Sequence, residues 1–186
     1  MNSIRCFISI ELDPVTRKSV SQFVDKLRFL RGIKWVNAEN YHITLAFMGE
    51  LPVDKVPLVC DALNGISSRH RPFILNLRSS GFFPDTKNPK VFWIGIEKNN
   101  ELYRLKEDID KTLRALNIDF DPKPFSPHLT LGRIKSPFEF DPKLIPREAD
   151  FSASFTVKEL YFMKSQLFKE GPVYTEIFKV ELKGLI

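Results

Sequence analysis

Cysteine, histidine and tryptophan are scarce in this chain, and long apolar runs are missing. Of 186 residues, two are cysteine, two tryptophan and three histidine. Cys6 and Cys60 stand in apolar surroundings with neither a CxxC pair nor zinc-ligand spacing. That argues against a disulfide framework or a cysteine-built metal module, and reads as two buried free thiols in a reducing compartment. No apolar stretch approaches the roughly 20 residues a membrane helix needs. The opening "MNSIRCFISIELD" lacks the charged start and sustained apolar run of a secretory signal. A membrane role is therefore not expected, and the cytoplasm is the expected location.

An excess of acid is also missing. The formal charge is +5 with a pI near 9.2. Residues 1–90 carry 13 Lys/Arg against 8 Asp/Glu, whereas residues 91–186 carry 15 against 15, so the first half supplies the whole excess (13 − 8 = +5). This suits an anionic partner but does not by itself identify one. Hydrophobic content of 43% and charged content of 27% fit an ordinary globular protein, long enough for one large domain or two small lobes.

What is present is regular alternation. Ile4, Cys6, Ile8, Ile10 and Leu12 share one face of a strand, with Arg5, Phe7, Ser9 and Glu11 on the other. Asp13-Pro14 then opens a helix whose apolar stripe runs through Val20, Phe23, Val24, Leu27 and Leu30 to a stop at Gly32. A short strand over 34–36 leads to a longer one that closes at Gly49. A helix is expected over 53–64 with Gly65 as its stop, strands in "RPFILNLRSSGFF" and "KVFWIGIE", and the clearest helix over 101–116. A strand over 127–134 follows, then a proline-containing loop. "FTVKELYFMKS" and "VYTEIFKVEL" read as two strands of a closing hairpin. This order predicts an α+β fold: a duplicated bilobal domain spanning residues 1–186, with antiparallel sheets, helices on the outer faces and a central cleft.

Two of the three histidines occupy one frame, His-x-Thr-Leu, at His42 and His128. With ordinary threonine frequency that is about a one-in-a-hundred coincidence. Alternation puts Ile43, Leu45 and Phe47 on a packed face and His42 with Thr44 on the opposite one, about 7 Å apart along the strand. Leu129 and Leu131 likewise leave His128 and Thr130 together. Two imidazoles across a small gap meet the needs of phosphodiester cleavage without a metal: one neutral ring takes a proton and one imidazolium gives one. Threonine hydroxyls suit the non-bridging phosphate oxygens, which a carboxylate would repel. The bland alternative is a pair of half-buried structural histidines. A zinc site built from His42, His128 and His70 is disfavoured, because no cysteine or carboxylate is spaced to complete it.

These stretches resemble a known family. "IRCFISIELDP", "IKWVNAENYHITLAFMGE", "VFWIGIE", "FSPHLTLGRIK" and "LYFMKSQLFKEGPVYTEIFKVEL" are similar, essentially end to end, to the two-histidine phosphoesterase superfamily. Within it they resemble the RNA 2′,3′-cyclic phosphodiesterases once called 2′-5′ RNA ligases. The resemblance implies His42 as proton donor and His128 as proton acceptor, Thr44 and Thr130 as phosphate-holding groups, and Arg133 as a further phosphate contact. Strict alternation would turn Arg133 away from His128, so its role requires a bulge, a strand end or its long side chain. Phe7 either enters the cleft to stack on a base or packs between the lobes, and Tyr174 is a second candidate for base contact. Trp35, Trp93 and Phe125 are expected in the core.

The expected partner is RNA ending in a 2′,3′-cyclic phosphate, with no cofactor or metal, and the chain acting as a monomer. Two other readings stand beside it: a cyclic phosphodiesterase for a small nucleotide such as ADP-ribose cyclic phosphate, and a non-catalytic RNA-end-binding module.

Overall fold

The computed structural model describes residues 2–145 and 151–184. In chain order the elements are β1 (Ser3–Glu11), α1 (Pro14–Asp25), β2 (Ile33–Trp35), β3 (His42–Pro52), α2 (Val56–Ser67), β4 (Phe73–Phe83), β5 (Val91–Ile96), α3 (Asn100–Ala115), β6 (His128–Ile134), β7 (Ser152–Val157), β8 (Glu159–Leu167) and β9 (Pro172–Glu181). The strands form two antiparallel sheets, ordered β3-β1-β8-β9 and β2-β6-β5-β4-β7. Leaving β2 aside, the two orders superpose as β3 with β6, β1 with β5, β8 with β4 and β9 with β7. The fold is a duplicated α+β architecture.

Helix starts follow their capping residues. The Asp13 carboxylate accepts from the Val15 and Thr16 amides at 2.9 Å each, with Pro14 at the first helical position. Asn99 caps α3 through the Leu102 amide. Helix ends are where the structure departs from the sequence reading. The first helix stops at Asp25 rather than near Gly32, and Leu27 and Leu30 reach the core from successive tight turns. Gly65 does not stop α2, which continues to Ser67.

The expected closing hairpin is β8 and β9, but "FTVKELYFMKS" is two strands rather than one. β7 pairs with β4 in the second sheet, and the chain crosses at Lys158 into the first sheet as β8. The buried positions shift phase there: Phe155 and Val157 precede the crossing, Leu160 and Phe162 follow it.

One continuous core joins the sheets and helices, with Tyr41, Phe92 and Phe162 the largest side chains closed off from water. α2 packs on β8, β9 and α3, while α3 also packs on β3. Thus α3, which follows a strand of the second sheet, covers the first. α1, which follows a strand of the first, packs on β7 of the second. Cys6 is fully buried, and Cys60 only partly so.

Gly32 ties the edge of the second sheet together. Its carbonyl accepts from the Lys135 and Ser136 amides at 2.7 and 3.1 Å, joining the start of β2 to the chain leaving β6. Its φ is +74°, and a Cβ there would collide with the Ser136 carbonyl. Gly32→Ala is therefore expected to destabilise the protein by roughly 2 kcal/mol or more. Denaturant unfolding of the variant checks this, and an unchanged midpoint would contradict it.

Candidate active site

β3 and β6 lie against each other where the two sheets meet, and each begins with its histidine. In both rings Nδ1 is 2.7 Å from the backbone carbonyl two residues earlier, Asn40 for His42 and Ser126 for His128. A carbonyl can only accept, so Nδ1 carries the proton of each neutral ring and Nε2 carries the lone pair. The Thr44 hydroxyl, 3.1 Å from His42 Nε2, donates to that lone pair.

His42, Thr44, His128 and Thr130 line one cleft of about 600 Å³. Arg133 joins them because of a local defect in the ladder. On β6, Gly132 faces Phe92 and Thr130 faces Trp93, which leaves Leu131 as an extra residue with no partner on β5. Such a bulge resets the alternation. Arg133 therefore returns to the cleft side, where strict alternation would have turned it away.

β3 carries the same defect. Ala46 faces Ile8 and Thr44 faces Ser9, leaving Leu45 unpaired. Phe47, expected on the packed face, consequently lines the cleft instead. Phe47 and Arg133, each three residues after the threonine of its motif, occupy matching places in the two repeats.

The rings around the histidines fix their tilt. Phe7 is 3% exposed, with its centroid 4.9 Å from both the His42 and Tyr174 rings, and Tyr174 meets His42 edge-on at 5.2 Å. Phe7 thus buttresses His42, leaving little of its own surface for a ligand. Tyr174, half-buried on β9, presents more. Phe83 stands edge-on to His128 at 4.8 Å and leans on Trp93 at 5.1 Å. Trp35, Trp93 and Phe125, expected in the core, are only partly buried: Trp35 lines the cleft, and the other two line a groove on the far side of His128.

Burial pushes His42 down to about 4, with the Asn40 carbonyl opposing and the charges of His128, Arg17 and Arg133 adding to the fall. Burial also lowers His128, against the pull of the Ser126 carbonyl and with help from Arg133. His70 is remote from this chemistry. It bonds Asp108 of α3 at 2.9 Å, beside an Arg69–Asp108 ion pair of 3.0 Å. Among the described residues no group of three or more His, Cys, Asp or Glu is arranged to hold a metal ion.

The sequence reading missed the cations of the rim. Arg5, Lys34, Lys135 and Lys169 line the cleft together with Arg133, against a single acid, Glu170. Lys34 lies directly opposite Arg133 in the β2–β6 register. Only Arg5 and Lys34 belong to the basic first half; the five residues come from four separate segments, and only the topology gathers them.

A family model described as LigT-like phosphoesterase matches the chain twice, over residues 10–93 and 94–174. The chain belongs to the LigT-like phosphoesterases. A protein named RNA 2′,3′-cyclic phosphodiesterase from Archaeoglobus fulgidus is 30% identical over 182 residues, 94% of this chain and 98% of its own. One of the same name from Geobacillus stearothermophilus is 31% identical over 180 residues, 96% of this chain but 57% of its own, so this LigT-like chain spans little more than half of that relative. Of solved structures, TT0787 of Thermus thermophilus superposes with a TM-score of 0.86 at 30% identity, covering 97% of this chain and 99% of that one. E. coli LigT complexed with NADP+ superposes with a TM-score of 0.77 at 25% identity, covering 98% and 99%. The two successive matches of the LigT-like model agree with the duplicated strand orders and the paired bulges.

Both imidazoles of the free protein are held neutral, so an anion between them should reverse the balance by supplying opposite charge. Nitrogen-detected NMR of the imidazoles is expected to show His42 still neutral at pH 5.5, and inorganic phosphate is expected to raise its titration midpoint. A free-protein midpoint at or above 6.5 would contradict the burial described here.

Proposed function

We propose that this LigT-like phosphoesterase opens terminal RNA 2′,3′-cyclic phosphates to 2′-phosphates, using His128 as base and His42 as acid. One observation carries the reading: two imidazoles, each anchored through Nδ1 to a carbonyl, present Nε2 to one cation-lined cleft. The names of the relatives support the substrate class.

Water attacks phosphorus as His128 Nε2 removes its proton. The new O–P bond forms while the P–O3′ bond breaks, and His42 Nε2 delivers a proton to the departing 3′ oxygen. His42 must be charged to do so, and the free protein opposes that charge. The substrate's own negative charge compensates, so protonation of His42 is coupled to occupancy of the cleft. When His42 is an imidazolium, Nε2 no longer accepts from Thr44, whose hydroxyl is then free to turn to a non-bridging phosphate oxygen, as Thr130 does from the facing strand. Arg133 adds a planar donor fork suited to the same group. With a 5′-hydroxyl RNA end in place of water as the nucleophile, the same steps in the same direction form a 2′-5′ linkage: the new O5′–P bond forms as P–O3′ breaks. A rim of five cations against one acid favours a polyanion such as RNA over a small cyclic nucleotide.

The test uses an RNA ending in 2′,3′-cyclic phosphate, incubated in EDTA. Hydrolysis is expected to persist, and phosphorus NMR is expected to find a single isomer, the 2′-phosphate. His42→Ala and His128→Ala are each expected to lower the chemical rate by about 10² or more while changing RNA binding much less. Activity abolished by EDTA and restored by zinc or magnesium would overturn the mechanism. Unchanged turnover in both variants would favour a binding module. Comparable amounts of 2′- and 3′-phosphate would refute a clamped substrate.

The pH dependence follows from the same coupling. Without substrate, the acid is charged only at low pH, so kcat/KM is expected to be greatest below pH 6.5. Bound phosphate raises the pKa of His42, so the optimum for kcat is expected at higher pH than that for kcat/KM. Coincident optima for the two parameters would contradict this coupling.

A further inference from the structure

Arg5 is left unused by this mechanism, and its setting is unusual for a structural arginine. Its guanidinium lies over the Phe47 ring, 4.6 Å from the centroid, and its Nε is buried without a hydrogen-bond partner among the described residues. Its cross-strand neighbour Glu50 takes a hydrogen bond from the Ser3 hydroxyl at 2.8 Å instead of pairing with it. Stacking occupies one face of a guanidinium and leaves its edge, with a planar array of donors, directed elsewhere. Here that side chain lines the same cleft as the histidines.

The position is set by the strand. Arg5 and Phe7 are alternate residues of β1, about 7 Å apart on one face, and Phe7 touches the His42 ring. The Tyr174 hydroxyl lies in the fields of both Arg133 and Arg5, whereas Arg133 and not Arg5 is among the charges acting on the two histidines. Arg5 is thus displaced along β1 from Phe7 and from the His42 ring that Phe7 touches. Phe47 holds it there because the β3 bulge brings that ring to the cleft side. In the second repeat the position matching Phe47 is Arg133 itself. The duplicated scaffold therefore serves a cation from each sheet: Arg133 directly, and Arg5 through the ring beneath it.

We propose that Arg5, stacked on Phe47, forms a second phosphate subsite that binds the phosphate on the 5′ side of the nucleoside whose cyclic phosphate is opened. The nucleoside itself spans from the histidines toward Arg5, and the 5′ phosphate accepts from the terminal Nη donors at the edge of the stacked guanidinium. This inference rests on the proposed hydrolase reading for its substrate class. The ligand group is either the linkage to an upstream RNA nucleotide or the 5′-phosphate of a small nucleotide.

Three substrates distinguish the sources and test the site: adenosine 2′,3′-cyclic phosphate, the same compound with a 5′-phosphate, and a dinucleotide with a terminal cyclic phosphate. Arg5→Gln is expected to raise KM about tenfold or more for the two that carry a 5′ phosphate, and to change it less than twofold for the first. Loss on the dinucleotide assigns the subsite to the RNA linkage. Loss confined to the 5′-monophosphate assigns it to a small nucleotide. Arg5→Lys keeps the charge but not the fork and is expected to fall between, which provides a reading if the glutamine variant folds poorly. Equal losses on all three substrates, or none on any, would overturn the proposal.

Calorimetry with adenosine 2′,5′-bisphosphate and adenosine 2′-phosphate gives a readout that needs no turnover. The bisphosphate is expected to bind the unaltered protein more tightly, and Arg5→Gln is expected to abolish the difference. A protein that hydrolyses nothing but keeps this difference would defeat the hydrolase reading alone. One that hydrolyses without the difference would defeat the subsite.

Discussion

An extra residue directly after each motif threonine, in β3 and in β6, controls what this cleft contains. Leu45 has no partner on β1 and Leu131 none on β5, and each lies directly after the threonine of its motif. Before the bulge, histidine and threonine face the cleft by ordinary alternation. After it, the parity changes, so the third residue beyond the threonine faces the cleft as well. Without the bulges, Phe47 and Arg133 would point into packed interiors, where an arginine would lack both solvent and partner. The leucines themselves are 2% and 0% exposed, so the extra residue is anchored by burial rather than left as slack. The backbone irregularity is stabilised by the same core that stabilises the sheets.

The second organising feature is that the histidines are uncharged and electrically uncomfortable. Each is half-buried, each lies in the field of Arg133, and His42 also feels the opposing ring. Their Nδ1 hydrogen bonds fix orientation without supplying a negative charge, because the partners are carbonyls rather than carboxylates. A carboxylate there would have kept an imidazolium charged in the empty cleft and repelled an incoming phosphate. Glu11, opposite His42 in the β1–β3 register, is instead held by Arg17 at 3.1 Å.

Much of this was legible in the residues. Alternation located the strands, Asp13-Pro14 located the first helix start, and the His-x-Thr-Leu pair pointed to four residues that the fold gathers in one cleft. Arg133 was legible as a question, since its presence in the cleft required an irregularity that alternation alone does not supply. Phe47 was misplaced for the same reason. The split between β7 and β8 left a trace, the three-residue step from Val157 to Leu160, which breaks the period of two. Other features had no local signal. Gly65 is helical because tertiary packing holds α2 past it. The cations at the rim belong to segments that meet only through sheet order, and the partial exposure of Trp35 depends on a cleft that no single stretch encodes.

The sheet order carries a consequence for how the molecule is made. β1 ends at Glu11, yet it lies between β3 and β8, and β8 begins at Glu159. β4 similarly waits for β7, which begins at Ser152. A chain emerging from the ribosome therefore holds two incomplete sheets with open edges for most of its synthesis, and neither can close until β7, β8 and β9 have emerged. Open strand edges invite pairing with other chains, and pairing over such separations is slow. At the Lys158 crossing the same short stretch of chain completes both sheets, supplying β7 to one and β8 to the other.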